Sequence, residues 1–371
     1  MKKRPVSIYA IVITTTNALA LPPDLFIIMS SYMKKFLSSF SVVGATVLTA
    51  VFSCGYEAEN DGTLSTGTPA DIILRTKAEE GTPLDIFFFN NDAGARLDSY
   101  QKVDIRGGTA GGTSRSGSKI MAVIANSGKD RYFWAGTGSF EALCKYRSVL
   151  ADEDPDAPVM SGTAIVEAGT ERVCTMNLEP VSAEIALNSI RADFTGKPGY
   201  GGKLTDVKVY LTNLRAEYPV FGERQASSVT IENYGRLDSA FLARMKHPEM
   251  VARRIGSPIG AGTVKPDIRL YCYPDHGSED ALGAPLTRLV VEGKIDGRTY
   301  YYPLDINRGI SAGHNGNGIE RGYSYVFDIL ITRRGSTDPD TPVVKGEIQV
   351  SVAVRPWQYA GDSIINYNCR Q

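Results

Sequence analysis

Histidine is scarce in this chain: His247, His276 and His314 are the only three in 371 residues. No two of them share a metal-ligand spacing. Each stands beside a proline or in a turn-like segment (YPDHGSED, AGHNGNG), the setting of solvated loop histidines rather than of a zinc or acid–base centre. Other catalytic signatures are missing as well. There is no GxSxG elbow, and the glycine-rich stretch 106–118 (RGGTAGGTSRSGS) lacks the Lys-Ser/Thr pair that would make it a phosphate loop. It reads instead as a mobile loop. An excess of one charge is also absent. Lys+Arg is 40 and Asp+Glu is 41, a formal net charge of −1, which gives no electrostatic reason to expect nucleic acid as a partner. Asp152, Glu153 and Asp154 are grouped, but on what should be an exposed turn. Asp338-Pro339-Asp340 has the look of a cation site, yet one acidic turn without further oxygen ligands reads as a turn. The expectation is a protein without enzymatic machinery, cofactor or bound metal.

Cysteine is sparse too, and the first of the five is the most informative. Met33-Lys34-Lys35 precedes an apolar run over 36–52 that ends at Ser53-Cys54. A charged start, an apolar middle and a small residue before the cut describe a secretory signal. Val51-Phe52-Ser53-Cys54 fits a lipoprotein signal at its first, third and fourth places; Phe52 departs from the small residue usual at the second. Cys54 would then carry lipid, and several acyl chains anchor firmly. The competing reading is an ordinary signal peptide with Cys54 incidental. Met33 is the expected true start, since the apolar stretch 8–21 is stopped by Pro22-Pro23 and is short for a membrane span. Export permits disulfides among Cys144, Cys174, Cys272 and Cys369. Three pairings are possible. Cys144 with Cys174 is preferred because both precede residue 180, although a buried thiol at Cys144 serves equally well.

Glycine (37), proline (19) and tyrosine (19) are plentiful, as many short strands joined by turns require. A polar tether over 55–69 leads into strand after strand. Residues 84–90 (LDIFFFN) are β-prone, and 119–125 (KIMAVIA) are apolar on both faces and so expected to be central. Val207, Val209 and Leu211 alternate with polar neighbours. So do Ile268, Leu270 and Cys272; Tyr325, Phe327, Ile329 and Ile331; and Ile348, Val350, Val352 and Val354. Period 2 throughout predicts an all-β chain of two antiparallel β-sandwich domains. One or two short helices are expected: Ser139 caps Phe140, Leu143, Cys144 and Arg147 at helical spacing, and a second runs over 239–250 as far as Pro248 allows. The layout is a signal region (1–53), a lipidated tether with a removable strand (54–75), a first sandwich (76–180) and a second (181–371).

Several segments, in order, resemble the fimbrillin superfamily of Bacteroidales: 84–90 with 97–100 (LDSY), 119–126 (KIMAVIAN), 158–162 (PVMSG), 181–190 (VSAEIALNSI), 207–214 (VKVYLTNL) and 350–357 (VSVAVRPW). Each is weak alone, their order is moderately specific, and together they span nearly all of the chain beyond Cys54. Glu184 departs from the basic residue frequent there. The resemblance implies transthyretin-like sandwiches and a structural pilus subunit, stalk or tip, that supports adhesion. Such subunits are exported as outer-membrane lipoproteins and cut at the cell surface by an Arg-specific protease. They then polymerise by β-strand exchange. Carried onto this chain, cleavage falls between Arg75 and Thr76, after the short apolar run 70–74 (ADIIL). The donor segment is 351–367, with Val352, Val354, Trp357, Ile364 and Ile365 as groove-filling side chains; the piece after Pro356 is the better donor, because Val350 to Val354 suits an internal strand. Implied partners are other pilus subunits, the outer membrane through the lipid on Cys54, and a host or bacterial surface ligand. The alternative is a permanently lipidated anchor or a glycan-binding surface lipoprotein using Tyr271, Tyr273, Tyr300, Tyr301 or Tyr302, although in alternating strands such tyrosines suit half-buried positions.

Overall fold

Alternation of apolar and polar residues builds the layers in order along the chain. The computed structural model describes residues 67–222, 230–277, 285–311, 318–343 and 346–357; the expectations for Cys54, Ile364, Ile365 and Cys369 lie outside them. The first strands are β1 (Pro69–Arg75), β2 (Pro83–Asn90), β3 (Leu97–Asp104), β4 (Thr109–Arg115) and β5 (Gly117–Ala125). A one-turn helix α1 (Phe140–Leu143) precedes β6 (Arg147–Val149), β7 (Met160–Ala168), β8 (Val173–Thr175) and β9 (Glu179–Pro180). They form a five-stranded sheet, β3-β2-β5-β7-β9, and a three-stranded sheet, β4-β1-β8. Leu84, Ile86 and Phe88 of β2 and Met121, Val123 and Ala125 of β5 meet inward-facing residues of the small sheet in one core.

 Those residues of the small sheet are Ala70, Ile72 and Leu74 of β1, Ala110 of β4 and Cys174 of β8. The opposite faces of β2 and β5, with Phe87, Phe89, Ala122 and Ile124, enter a second, larger core. Burial on both faces is why 119–125 reads as a continuous apolar run.

The remaining strands are β10 (Ala183–Ala192), β11 (Thr205–Thr212), β12 (Leu214–Arg215), β13 (Glu217–Pro219) and β14 (Ile231–Glu232), then the one-turn helix α2 (Ser239–Leu242). They continue with β15 (Ala252–Arg254), β16 (Ile268–Cys272), β17 (Arg288–Ile295), β18 (Arg298–Asp305), β19 (Tyr323–Ile331) and β20 (Ile348–Pro356). Two four-stranded sheets result, β16-β10-β19-β20 and β15-β11-β17-β18. Val207, Val209 and Leu211 from one, and Tyr325, Phe327, Ile329 and Ile331 from the other, share the larger core as their alternation predicts. Two pairings depart from a purely antiparallel plan: β10 runs parallel to β19, and β1 runs parallel to β8.

Contacts cross residue 180 at several points. β6 pairs with β13, joining Arg147 to Pro219. Arg321 donates to the carbonyls of Glu179, Pro180 and Val220 and to the Ser161 hydroxyl. Burial pulls its pKa down, and the four acceptors offset the lost hydration of the guanidinium.

Four expectations need correction. Residues 106–118 are not a loop throughout: 109–115 form β4, whose small residues fit a tightly packed sheet. The helix capped by Ser139 is real, since its side chain accepts from the Ala142 N–H, but it ends at Leu143 and Arg147 opens a strand. The second helix likewise stops at Leu242, with Asp238 as its cap, and a separate turn begins at Pro248. Glu153 is not on an exposed turn. It is 3% exposed, accepting from the Ser148 and Tyr273 hydroxyls at 2.6 and 2.8 Å and from the Val159 N–H at 3.3 Å. Burial nevertheless pushes its carboxyl above the usual range.

Candidate functional site: a groove filled by the first strand

β1 alternates strictly. Asp71, Ile73 and Arg75 point outward, while Ala70, Ile72 and Leu74 point inward and are 8%, 1% and 1% exposed. Its backbone is bonded on both edges. Against β4 it pairs antiparallel over seven positions, from Pro69 opposite Arg115 to Arg75 opposite Thr109. Against β8 it pairs parallel over Ile73, Leu74 and Arg75. The Ile73 N–H donates to the Arg172 carbonyl at 2.8 Å, and the Met176 N–H to the Arg75 carbonyl at 3.0 Å. Among the described strands, β1 is therefore the only link between β4 and β8 within their sheet. Remove it, and two strand edges and an apolar floor are laid open.

The floor explains the composition of β4. Gly112 stands opposite Ile72 in the ladder, and a Cβ added there would lie 2.8 Å from the buried Phe88 ring. Only glycine lets the strand approach the ring so closely. Asp71 on the outer face accepts from the Thr113 hydroxyl at 2.9 Å, which helps fix the register. At the end of β1, Arg75 is exposed and Thr76 half-buried, followed by exposed Lys77, Glu79, Glu80 and Gly81. The bond between Arg75 and Thr76 thus lies where the ladder ends, and only the final pairings need open for a protease to reach it.

The other predicted residues are elsewhere. β20 pairs antiparallel with β19 over nine positions, and Val352 and Val354 are half-buried against the larger core. The Trp357 ring lies 5.3 Å from that of Tyr271, and the Trp357 backbone N–H donates to the Gly322 carbonyl at 2.6 Å. Cys144 caps the end of α1 against the larger core, whereas Cys174 is buried in the smaller one beside Leu74. Of the tyrosines offered for sugar stacking, Tyr271, Tyr273, Tyr300 and Tyr302 do not present open rings, being 8%, 0%, 8% and 0% exposed, while Tyr301 is half-buried. Asp340 is engaged as well, accepting from the buried Arg288 guanidinium at 2.5 Å. Among the described residues, no three His, Cys, Asp or Glu side chains come together to hold a metal ion.

A small sandwich completed by the first described strand, continuous with a larger one that ends in the last described strand, defines a two-sandwich fold class. Solved structures share it. One, a candidate cell adhesion protein from Bacteroides eggerthii, is 20% identical with a TM-score of 0.59, covering 78% of this chain and 97% of its own. The fimbrilin FimA of Porphyromonas gingivalis is 17% identical with a TM-score of 0.56, covering 79% and 98%. A candidate cell adhesion protein from Parabacteroides distasonis is 17% identical with a TM-score of 0.55, covering 78% and 99%. At such identities the likeness is one of fold: this chain has a fimbrillin-like fold. No family model matches it, and no curated protein does.

Proposed function

We propose that this chain is a structural subunit, stalk or tip, of a cell-surface pilus that supports adhesion, with no catalytic role. In this reading it is exported as a lipoprotein on Cys54, cut between Arg75 and Thr76, and polymerised by strand exchange. Residues 76–180 and 181–371 are its two domains. The observation that carries the reading is β1: the first described strand fills a groove whose edges and floor it alone completes among the described residues. Its exposed end is an arginine, the residue type at which the resemblance places the cut. The likeness in fold to a fimbrilin and to candidate adhesion proteins supports the same conclusion.

The seating of β20 bears on the donor. Val352 and Val354 already serve their own sheet, and Trp357 packs on Tyr271. The donor is therefore the segment after Pro356, with Ile364 and Ile365 as the groove-filling side chains. The partner is the groove of a neighbouring subunit, emptied of its β1.

The test is the N-terminus and intact mass of the protein taken from its native cell surface. A chain beginning at Thr76 without lipid, and an Arg75→Ala variant that stays full length and forms no fibres, are the expected results. An intact chain lipidated on Cys54 in assembled wild-type material overturns processing and points to a permanent anchor.

A further inference from the structure

Only one edge of β4 faces β1. Ile73 turns its N–H away from β4, toward the Arg172 carbonyl, so in the antiparallel ladder Ala110, Gly112 and Ser114 point their backbone groups at β1. Thr113 and Arg115 point theirs the other way. That far edge is covered by side chains of β3. The Gln101 amide meets both backbone groups of Thr113: the Thr113 N–H donates to Oε1 at 2.6 Å, and Nε2 donates to the Thr113 carbonyl at 2.5 Å. The Ser99 hydroxyl donates to the same carbonyl at 2.6 Å. The Asp98 carboxylate accepts from the Arg115 N–H and from the Ser114 hydroxyl, each at 2.8 Å.

The sequence of β3 puts these groups on one side. Ser99 and Gln101 stand opposite Phe88 and Ile86 of β2, and so share the face that looks on the small sheet. A bulge between Phe88 and Phe89 leaves Asp98 unmatched in that ladder and turns it to the same side. Lys119 of β5, 2% exposed, holds its ammonium 3.5 Å from the Asp98 carboxylate and fixes it there. β8 is held differently. Among the described strands it pairs with β1 alone, and the Met176 N–H just beyond it donates to the Arg75 carbonyl.

We infer that Asp98, Ser99 and Gln101 are positioning residues for strand exchange: they hold β4 in place when β1 leaves, so the groove keeps one fixed edge on which an incoming strand finds its antiparallel register, while β8 is the edge that yields. A fixed edge spares the incoming strand the entropy of ordering it. The link to assembly rests on the proposed removal of β1; the holding of β4 does not.

The experiment is residue-resolved amide hydrogen exchange of the full, uncut chain by NMR, which reads local opening of β1. The Ile73 and Met176 amides should exchange together, and those of Thr113 and Arg115 at least about tenfold more slowly. In Gln101→Ala the Arg115 amide should exchange about tenfold faster although its own acceptor, Asp98, is untouched; a side chain of purely local importance would release Thr113 alone. Ser99→Ala, a milder change, should act in the same direction. The Leu211 amide, bonded to the Val251 carbonyl in the other sandwich, is the reference and should not change. Thr113 and Arg115 exchanging at the Ile73 rate in the wild type, or an Arg115 amide indifferent to Gln101→Ala, overturns the holding of β4. On the native cell surface, Gln101→Ala should be cut as the wild type is, yet form about tenfold less fibre, while Val352→Ala forms normal amounts. Normal fibre from the cut Gln101→Ala chain overturns the role in assembly. An uncut wild type counts against the processing reading instead, and the exchange rates still decide whether β4 is held.

Discussion

The first and last described strands of this chain are seated in opposite ways. β1 lies in the middle of its sheet, bonded to β4 and β8, with Ile72 and Leu74 almost fully enclosed. β20 lies at an edge, bonded to β19 alone among the described strands, and its Val350, Val352 and Val354 are only half-buried. The strand that the proposed function removes is thus the better buried. That is the arrangement strand exchange needs. A loosely held first strand would leave the groove open before assembly, whereas a well-fitted one protects it until a replacement of similar quality is at hand.

The largest expected effect comes from placing charge in each seat. Ile72→Asp in the uncut chain buries a carboxylate with no cation opposite it in the apolar floor, and should cost about 4 kcal/mol or more. Val352→Asp at the half-exposed edge should cost about 1–2 kcal/mol. Urea unfolding of both full chains measures the difference. Equal costs would mean that the two strands are not seated differently at all.

Next in size is a change that spares β1 and alters only the strand beside it. Gly112→Val pushes a side chain into the Phe88 ring, which is fully buried and cannot swing aside. A cost of about 1–3 kcal/mol is expected in urea unfolding. Because β4 and the Phe88 ring remain after cutting, the same variant should also slow fibre formation by chains that begin at Thr76, as read by light scattering. Normal assembly with reduced stability would separate the groove from polymerisation.

Truncation at the edge strand should do less. Val352→Ala removes two methyl groups from a side chain that is already half in water, and about 1 kcal/mol is expected from the same unfolding measurement. A loss matching that of Ile72→Ala, for which about 2–5 kcal/mol is expected, would show that β20 is held as firmly as β1.

Most of the strands were legible because burial on one or both faces leaves a period in the sequence. The runs at 119–125 and 325–331 show it plainly. β1 was legible as an apolar run next to an arginine, but whether it formed a strand in place could not be read, since three apolar residues fit many settings. β4 was hidden altogether. The glycine that admits the Phe88 ring and the small Ala110 and Ser114 beside β1 give the composition of a flexible loop, although here they mark close packing. The helices were over-extended because apolar spacing continued past Leu143 and Leu242 into residues that face the core from other elements. Glu153 was misplaced for a similar reason. Its two acidic neighbours suggest water, while the hydroxyl partners that bury it, Ser148 and Tyr273, are near and far in sequence respectively.

Glu153 touches neither terminal strand and so provides a baseline for both. Its carboxyl is held above the ordinary range chiefly by burial. A raised carboxyl favours the neutral form in the folded protein. The stability it supports is fully present below the unfolded pKa and is lost as pH rises through the folded one. Glu153→Gln keeps an acceptor for Ser148 and Tyr273 but carries no charge. Its melting temperature relative to wild type should therefore rise from about pH 4 to about pH 7, and a gap that stays flat or shrinks would contradict the burial argument. Because Glu153 shares no bonding partner with Ile72, the cost of Ile72→Asp should be the same in the Glu153→Gln background to within about 0.5 kcal/mol. A larger deviation would mean that the β1 groove and the Glu153 site respond as one unit, and that emptying the groove is felt beyond its own sandwich.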